Sequence, residues 1–273
     1  MNIYGLLGYP LSHSFSKGFF TEKFRKEGID AVYDNFALPS ISEFPSLIRS
    51  APLLVGMNVT IPYKQAVMIY LDALDPEAEA VGAVNVIRIE RLAGQMPFLT
   101  GYNSDVIGFR ESIRPLVEQL RSDLAGASLK ASGSIASLKA MVLGTGGASK
   151  AILFALKQLG IEPLLVSRQP ALGQITYNEL TAAHYKDFRI IINTTPLGMS
   201  PNTDTCPPLD YSSLGSSHLL FDLVYNPDKT LFLQKGEAQG ATIKNGLEML
   251  HLQAEASWKI WNLKTHNFSN IVP

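Results

Sequence analysis

The stretch MVLGTGGASKAILFAL, residues 141–156, limits the fold more than any other part of this chain. A strand-like apolar run ends at Gly144, Gly146 and Gly147 follow, then the small pair Ala148 and Ser149, then a run with helical spacing. The first glycine permits a tight turn, the second lets backbone approach a pyrophosphate, and a small third residue, here Ser149, lets helix pack on strand. Phosphate oxygens would then meet unpaired N–H groups at a helix N-terminus. A second strand-like run, PLLVS, follows at a suitable distance. The segment therefore predicts a Rossmann-like unit in which Gly144, Thr145, Gly146, Gly147 and Ala148 surround the phosphates of a dinucleotide. The second strand delivers Ser167 and Arg168 where an NAD site would place Asp or Glu. A guanidinium attracts a 2′-phosphate that a carboxylate would repel, so NADP(H) is the expected cofactor.

The same alternation runs along most of the chain. Ile3–Leu7, Ala31–Phe36 and Leu53–Val59 read as strands, with a helix over Phe15–Lys26 and another from about Lys64 to Leu71. The run 83–90 reads as a strand that carries Asn85 and pairs with 96–103 across a turn at Gly94, and a helix is expected from Ser104 to about Leu120. The Ser-, Ala- and Gly-rich segment 126–137 reads as an exposed, mobile junction loop. Strands within 140–144, 163–167, 188–195 and 219–225 follow, and the last helix covers 245–261, with a loose tail beyond Trp261. Alternating strands and helices imply a mostly parallel sheet covered by helices. At 273 residues one or two domains are expected, and two fit the pattern.

Composition narrows the partners. Charged residues are 17% of the chain and the formal net charge is −1, so no basic field exists for nucleic acid. The single cysteine, Cys206, excludes an intrachain disulfide and a cysteine-cluster metal site, and the histidines are scattered; no metal is expected. The opening MNIYGLLGYP has no basic region, Pro10 interrupts its apolar run, and no apolar stretch reaches about 18 residues. A cytoplasmic protein with a small-molecule substrate is expected, without nucleic-acid or membrane partners and as monomer or homodimer.

A nicotinamide cofactor needs a substrate that gives or takes hydride. Polar clusters stand where apolar runs end: GYPLSHSFS with Ser14 and Ser16, NVTIPYK with Thr60 and Lys64, GAVNV with Asn85, and GYNSDVIGF with Asp105. Each alone has an ordinary structural explanation, such as a helix cap or a dipole partner. Together they suit a polyhydroxylated acid, with hydroxyls of Ser14, Ser16 and Thr60 for a carboxylate and Asn85, Asp105 and Lys64 for hydroxyls or a ketone.

The order and content of these motifs resemble the shikimate dehydrogenase family. The match runs through GYPLSHSFS, NVTIPYK, GAVN, GYNSDVIGF, GTGGAS, NTTPLGM and NGLEMLHLQ, nearly the whole chain. The resemblance implies reversible NADPH-dependent reduction of 3-dehydroshikimate to shikimate, on the way to aromatic amino acids. It implies that Ser14 and Ser16, with Tyr225, hold the substrate carboxylate, and that Thr60, Asn85 and Gln253 line the pocket. It makes Lys64 and Asp105 the catalytic dyad. On the cofactor side it points to Gly144 through Ala148, to Ser167-Arg168 beside the 2′-phosphate, and to Leu223 and Gly246 near the nicotinamide. The expected architecture is α/β with two domains: residues 1–112 with 246–273 for substrate, and a Rossmann-like 113–245 for NADP, the C-terminal helix returning to the first domain.

Three departures from the family pattern are visible: Ser167-Arg168-Gln169 replaces Asn-Arg-Thr, Ser104 replaces the threonine before Asp105, and the Ser-rich segment around 126–137 is longer than the family's usual junction. Two alternatives stay open. One is a dehydrogenase acting on quinate as well as shikimate with NAD or NADP; the other is a non-catalytic metabolite sensor on the same fold. An intact Lys64 and Asp105 argue against the sensor.

Overall fold

The computed structural model describes residues 1–11, 15–91, 94–131 and 137–263, with the backbone course alone over 126–131. In chain order the elements are β1 (Asn2–Gly8), α1 (Phe15–Glu27), β2 (Ala31–Ala37), α2 (Phe44–Ser50), β3 (Leu54–Val59), β4 (Ala73–Leu74), α3 (Pro76–Val81), β5 (Val86–Glu90), β6 (Phe98–Tyr102) and α4 (Ser104–Ala131). They continue with β7 (Lys139–Leu143), α5 (Gly147–Gln158), β8 (Glu162–Val166), α6 (Ala182–Asp187), β9 (Ile190–Asn193), β10 (Leu219–Asp222), α7 (Leu231–Ala238), β11 (Thr242–Lys244) and α8 (Leu247–Trp261). The chain divides into two compact units, Met1–Ser104 with the residues from Ala254 onward, and Asp105–Gln253.

The first unit is built on a six-stranded sheet of order β2-β1-β3-β5-β6-β4. β1 is parallel to β2 and β3, whereas β5 runs antiparallel to both β3 and β6. Both faces are covered, as the alternation in β1 and β5 requires. Leu7 and Ile87 join Phe44, Leu54 and Met57 on one side. Tyr4, Leu6 and Val86 join Phe20, Phe24, Tyr33 and Trp261 on the other. The register sets Leu7 beside Val59, Asn58 beside Val86, and Val86 beside Tyr102. The segments after β1, β3 and β6 and before β5 therefore emerge at one end of the sheet.

The second unit carries an all-parallel sheet of order β11-β10-β9-β7-β8. β8 lies on one side of β7 and β9 on the other, so the winding reverses there. Ligands of open α/β sheets bind at the carboxyl ends of strands beside such a reversal. Met141, Leu143, Ile191 and Leu220 pack with Phe232, Leu233 and Tyr185 in its core.

Three expectations are corrected. Lys64 does not open a helix: it lies in a turn, and only a 3-10 turn, Ala66–Tyr70, follows. The Lys64 carbonyl is taken by the backbone N–H of Val84 at 2.7 Å, which removes the acceptor that a helix starting there would use. Asn85 stands in a bend just before β5 rather than on the strand. The helix from Ser104 continues to Ala131, through half of the segment expected to be a loop. Ala125, Ala127, Leu129, Lys130 and Ala131 are good helix formers, and extending an existing helix costs far less than starting one. The rest of the Ser-rich segment up to 136, and the tail from 264, lie outside the described residues.

Candidate active site

The polar end of the first sheet is assembled by backbone bonds between segments distant in sequence. Thr60 N donates to Leu7 O at 2.8 Å, and Val59 N donates to Asn85 O at 2.8 Å. Val84 N reaches Lys64 O, and Asn85 N donates to Tyr102 O at 3.0 Å. Pro62 interrupts the strand pattern, and the chain folds back through Tyr63 N to Thr60 O at 2.9 Å. These bonds bring Thr60, Lys64 and Asn85 to one place; Thr60 and Lys64 are half-buried and Asn85 is buried. The Asn85 side chain is itself held, its Nδ2 donating to Ser104 Oγ at 3.1 Å and its Oδ1 accepting from Ser104 N at 2.7 Å. Ser16 is in the first turn of α1, half-buried, and hydrogen-bonds the Tyr33 hydroxyl. Burial pushes the Tyr33 phenol well above its ordinary range, with the Ser16 bond a smaller opposing influence. Ser14 lies outside the described residues.

The second unit holds the other expected residues. Asp105 follows Ser104 at the start of α4 and is buried; Gln253, in α8, is buried and donates to Leu250 O at 2.9 Å. Tyr225 is exposed and Leu223 half-buried, both in the segment after β10. Gly246, just before α8, donates to Val224 O at 3.2 Å. A Cβ on Gly246 would collide with the Leu223 carbonyl oxygen, so only glycine permits this approach.

The glycine turn forms as expected. Gly144 has φ +99°, and a Cβ there would stand 2.8 Å from Thr195 Cγ2. Gly146 precedes the first turn of α5 without a side-chain cap, and Ser149, buried as the packing argument requires, donates back to Gly146 O at 2.6 Å. Thr145, Gly146 and Gly147 are exposed and Ala148 half-buried. Beside this turn opens a cavity of about 300 Å³ lined by Gly144, Thr145, Ser167, Arg168, Tyr177 and Thr194, among others. Arg168 is the only charged residue among the described lining residues, and no carboxylate faces it there. The Ser167 hydroxyl accepts from Gln169 N at 3.2 Å, which shapes the turn that presents Arg168.

Burial pushes the Tyr177 phenol up, opposed by the positive charge of Arg168. A bare glycine turn, a guanidinium and no acidic wall fit the phosphates of NADP(H). Residue-by-residue reading of the sequence missed Thr194, Thr195 and Tyr177 as part of this lining. The two threonines had a signal, since they follow an apolar strand in NTTPLGM; Tyr177 had none.

Among the described residues no group of His, Cys, Asp and Glu is placed to hold a metal ion. No helix among them is long and apolar enough to cross a membrane.

Comparison with known proteins agrees with this geometry. The family model described as the shikimate dehydrogenase substrate binding domain matches residues 6–87. A protein of Caldanaerobacter subterraneus subsp. tengcongensis named shikimate dehydrogenase (NADP(+)) is 34% identical over 275 residues, spanning 95% of this chain and 91% of the relative. The chain belongs to the shikimate dehydrogenase family. A crystal structure of a shikimate dehydrogenase in complex with NADP+ is 30% identical with a TM-score of 0.79, covering 96% of this chain and 90% of that one. The Thermus thermophilus shikimate 5-dehydrogenase, in complex with NADP(H) and shikimate, is 28% identical with a TM-score of 0.76, covering 96% and 94%. In family terms the first unit contains the stretch matched by the substrate-binding model, and the second contains the glycine turn.

Proposed function

We propose that this chain is an NADP-dependent shikimate dehydrogenase that reversibly reduces 3-dehydroshikimate to shikimate, a step toward chorismate and the aromatic amino acids. The observation that carries this reading is the cavity beside Gly144, where Arg168 faces no carboxylate, in a chain of this family. In this reading residues 1–112 with 246–273 form the substrate part and 113–245 the cofactor part, and the enzyme works in the cytoplasm.

NADP(H), when bound, supplies or accepts the hydride. Gly144 through Ala148 hold its phosphates, Arg168 with Ser167 holds the 2′-phosphate, and Leu223 and Gly246 border the nicotinamide. Ser14 and Ser16, with Tyr225, hold the substrate carboxylate, while Thr60, Asn85 and Gln253 contact the ring. The Lys64 ammonium is aimed at the oxygen that gains negative charge as the ketone is reduced. Its stabilisation is greatest in the transition state, and it then gives that oxygen a proton. The Asp105 carboxylate orients Lys64 and the neighbouring substrate hydroxyl.

The test is an initial-rate assay at the nicotinamide absorbance band with shikimate or quinate, each with NADP or NAD. Shikimate with NADP is expected to be the preferred pair by kcat/KM. Preference for quinate selects the broader dehydrogenase, and tight shikimate binding without any hydride transfer selects the sensor.

A further inference from the structure

Within the first unit, side-chain hydrogen bonds run without a break from Ser16 to Asn85. Ser16 bonds the Tyr33 hydroxyl. Tyr33 donates to Asn58 Oδ1 at 2.8 Å, and Asn58 Nδ2 donates to Ser257 Oγ at 2.9 Å. The hydroxyls of Ser257 and Ser104 are 3.2 Å apart, and Asn85 Nδ2 donates to Ser104 Oγ at 3.1 Å. From Tyr33 to Asn85 no member of the chain is more than 5% exposed.

Two backbone groups give this chain a direction. The Asn85 carbonyl can only accept, so Asn58 turns its Nδ2 toward it, at 3.4 Å, and its Oδ1 toward Tyr33. The single proton of the Tyr33 hydroxyl is then committed to Asn58, and its oxygen is left to accept from Ser16. The Ser104 N–H can only donate, so Asn85 turns its Oδ1 toward it, at 2.7 Å, and its Nδ2 toward Ser104 Oγ. The amides of Asn58 and Asn85 thus each have one permitted orientation. A break at any link removes a hydrogen bond between buried groups and loosens the hold on its neighbours.

We propose that Tyr33, Ser257 and Ser104 are positioning residues for the substrate: through Asn58 they fix which way the Ser16 hydroxyl and the Asn85 amide face, and so couple the two. This rests on the reading in which Ser16 meets the carboxylate of shikimate and Asn85 a ring hydroxyl. The chain links residues on α1, β2, β3, α8 and the start of α4, so one bond network spans both substrate contacts. All of its members belong to the first unit and the glycine turn to the second, so its effects should fall on shikimate and leave NADP alone.

The experiment measures shikimate binding by calorimetry to enzyme without cofactor, and KM for both substrates, for Tyr33→Phe, Ser257→Ala, Ser104→Ala, Ser104→Thr and the double variant Y33F/S104A. Each single removal is expected to raise the Kd and KM for shikimate about five- to thirty-fold, the loss of one buried hydrogen bond, and to leave KM for NADP within about twofold. Ser104→Thr keeps the hydroxyl and should bind shikimate within about threefold of the wild type. The double variant should lose several-fold less than the product of its singles, because the first break already frees the chain. Unchanged shikimate Kd in folded variants, equal losses for NADP, a multiplicative double variant, or Ser104→Thr as impaired as Ser104→Ala each overturns the proposal. Should Tyr33→Phe fail to fold, Ser257→Ala, which removes one oxygen, decides alone. A wild-type enzyme that does not turn over shikimate fails the underlying reading and takes the proposal with it. An active wild type with unmoved variants fails the proposal alone.

Discussion

Thr230 Oγ1 donates a 2.6 Å hydrogen bond to Asp222 Oδ2, and neither residue has exposed surface. Asp222 Oδ1 accepts from Asn193 Nδ2 and from Val224 N, each at 3.0 Å. Asn193 Oδ1 in turn accepts from Thr195 Oγ1 at 2.6 Å. One buried carboxylate therefore ties the threonine loop beside the glycine turn to the segment that carries Leu223 and Tyr225.

Burial pushes the Asp222 carboxyl up to about 6, although its three donors pull the other way. Its folded value lies above the unfolded one, so folding takes up a proton between the two. The stabilising contribution is complete below about pH 4 and is lost as pH rises through about 6. Some two pH units at ~1.4 kcal/mol each amount to roughly 3 kcal/mol. Asp222→Asn has no such group, so the wild type should lose about that much relative to the variant between pH 4 and pH 7. Urea unfolding of both proteins across that range checks this; parallel profiles would defeat it.

Arg168 is exposed at the rim of a cavity with no carboxylate in its described lining. In the proposed reading, replacing it with Ala removes a charge-assisted contact to a 2′-phosphate, a group that NAD lacks. KM for NADP should rise about tenfold or more, while kcat/KM with NAD stays within about twofold. Initial rates with both cofactors decide it. An equal loss for both means that Arg168 serves the turn and not the phosphate.

The parts of the molecule that were legible in the sequence are those set by local periodicity. The glycine turn, the two-sided strands around Leu7 and Ile87, and the helix holding Trp258 and Trp261 each declare themselves within one short window. What stayed hidden depends on partners far along the chain. Lys64 looked like the start of a helix until Val84, on another segment, claimed its carbonyl. Ser257 is 199 residues from Asn58, and nothing in either neighbourhood announces that they meet. Thr194 and Thr195 look like the end of a strand; the order of strands in the sheet makes them the wall of a cavity. Composition misled once, at 126–131, where serine and glycine suggested a loop although the helix before them was already formed.

Lys64 sits in a turn pinned at both ends, by Tyr63 N to Thr60 O and by Val84 N to its own carbonyl. Its backbone is fixed by bonds that a side-chain truncation leaves in place. Lys64→Ala should therefore fold normally and lower turnover about 10²–10⁴-fold, the usual scale for a group that handles the proton. Circular dichroism and shikimate-dependent NADPH formation measure the two halves of this statement. Turnover within a few-fold of the wild type removes Lys64 from the mechanism.

Trp261 ends α8 in the aromatic core of the first unit, its ring centroid 4.8 Å from that of Tyr4 and 5.1 Å from that of Phe20. Its Nε1 donates to Ile87 O at 3.1 Å, so the indole both fills the core and pairs a strand carbonyl. The two roles separate by substitution. Trp261→Phe keeps an aromatic ring but drops the donor, and is expected to cost about 1–2 kcal/mol. Trp261→Ala also opens a cavity among Tyr4, Phe20 and Tyr33 and should cost about 3–5 kcal/mol. Because Ser257 lies one turn earlier on the same helix, loosening its end should also weaken shikimate binding more than NADP binding. Urea unfolding followed by tryptophan fluorescence, with shikimate calorimetry at a temperature where each variant is folded, measures both. A Trp261→Ala variant as stable as the wild type would mean that the C-terminal helix does not hold the first unit together.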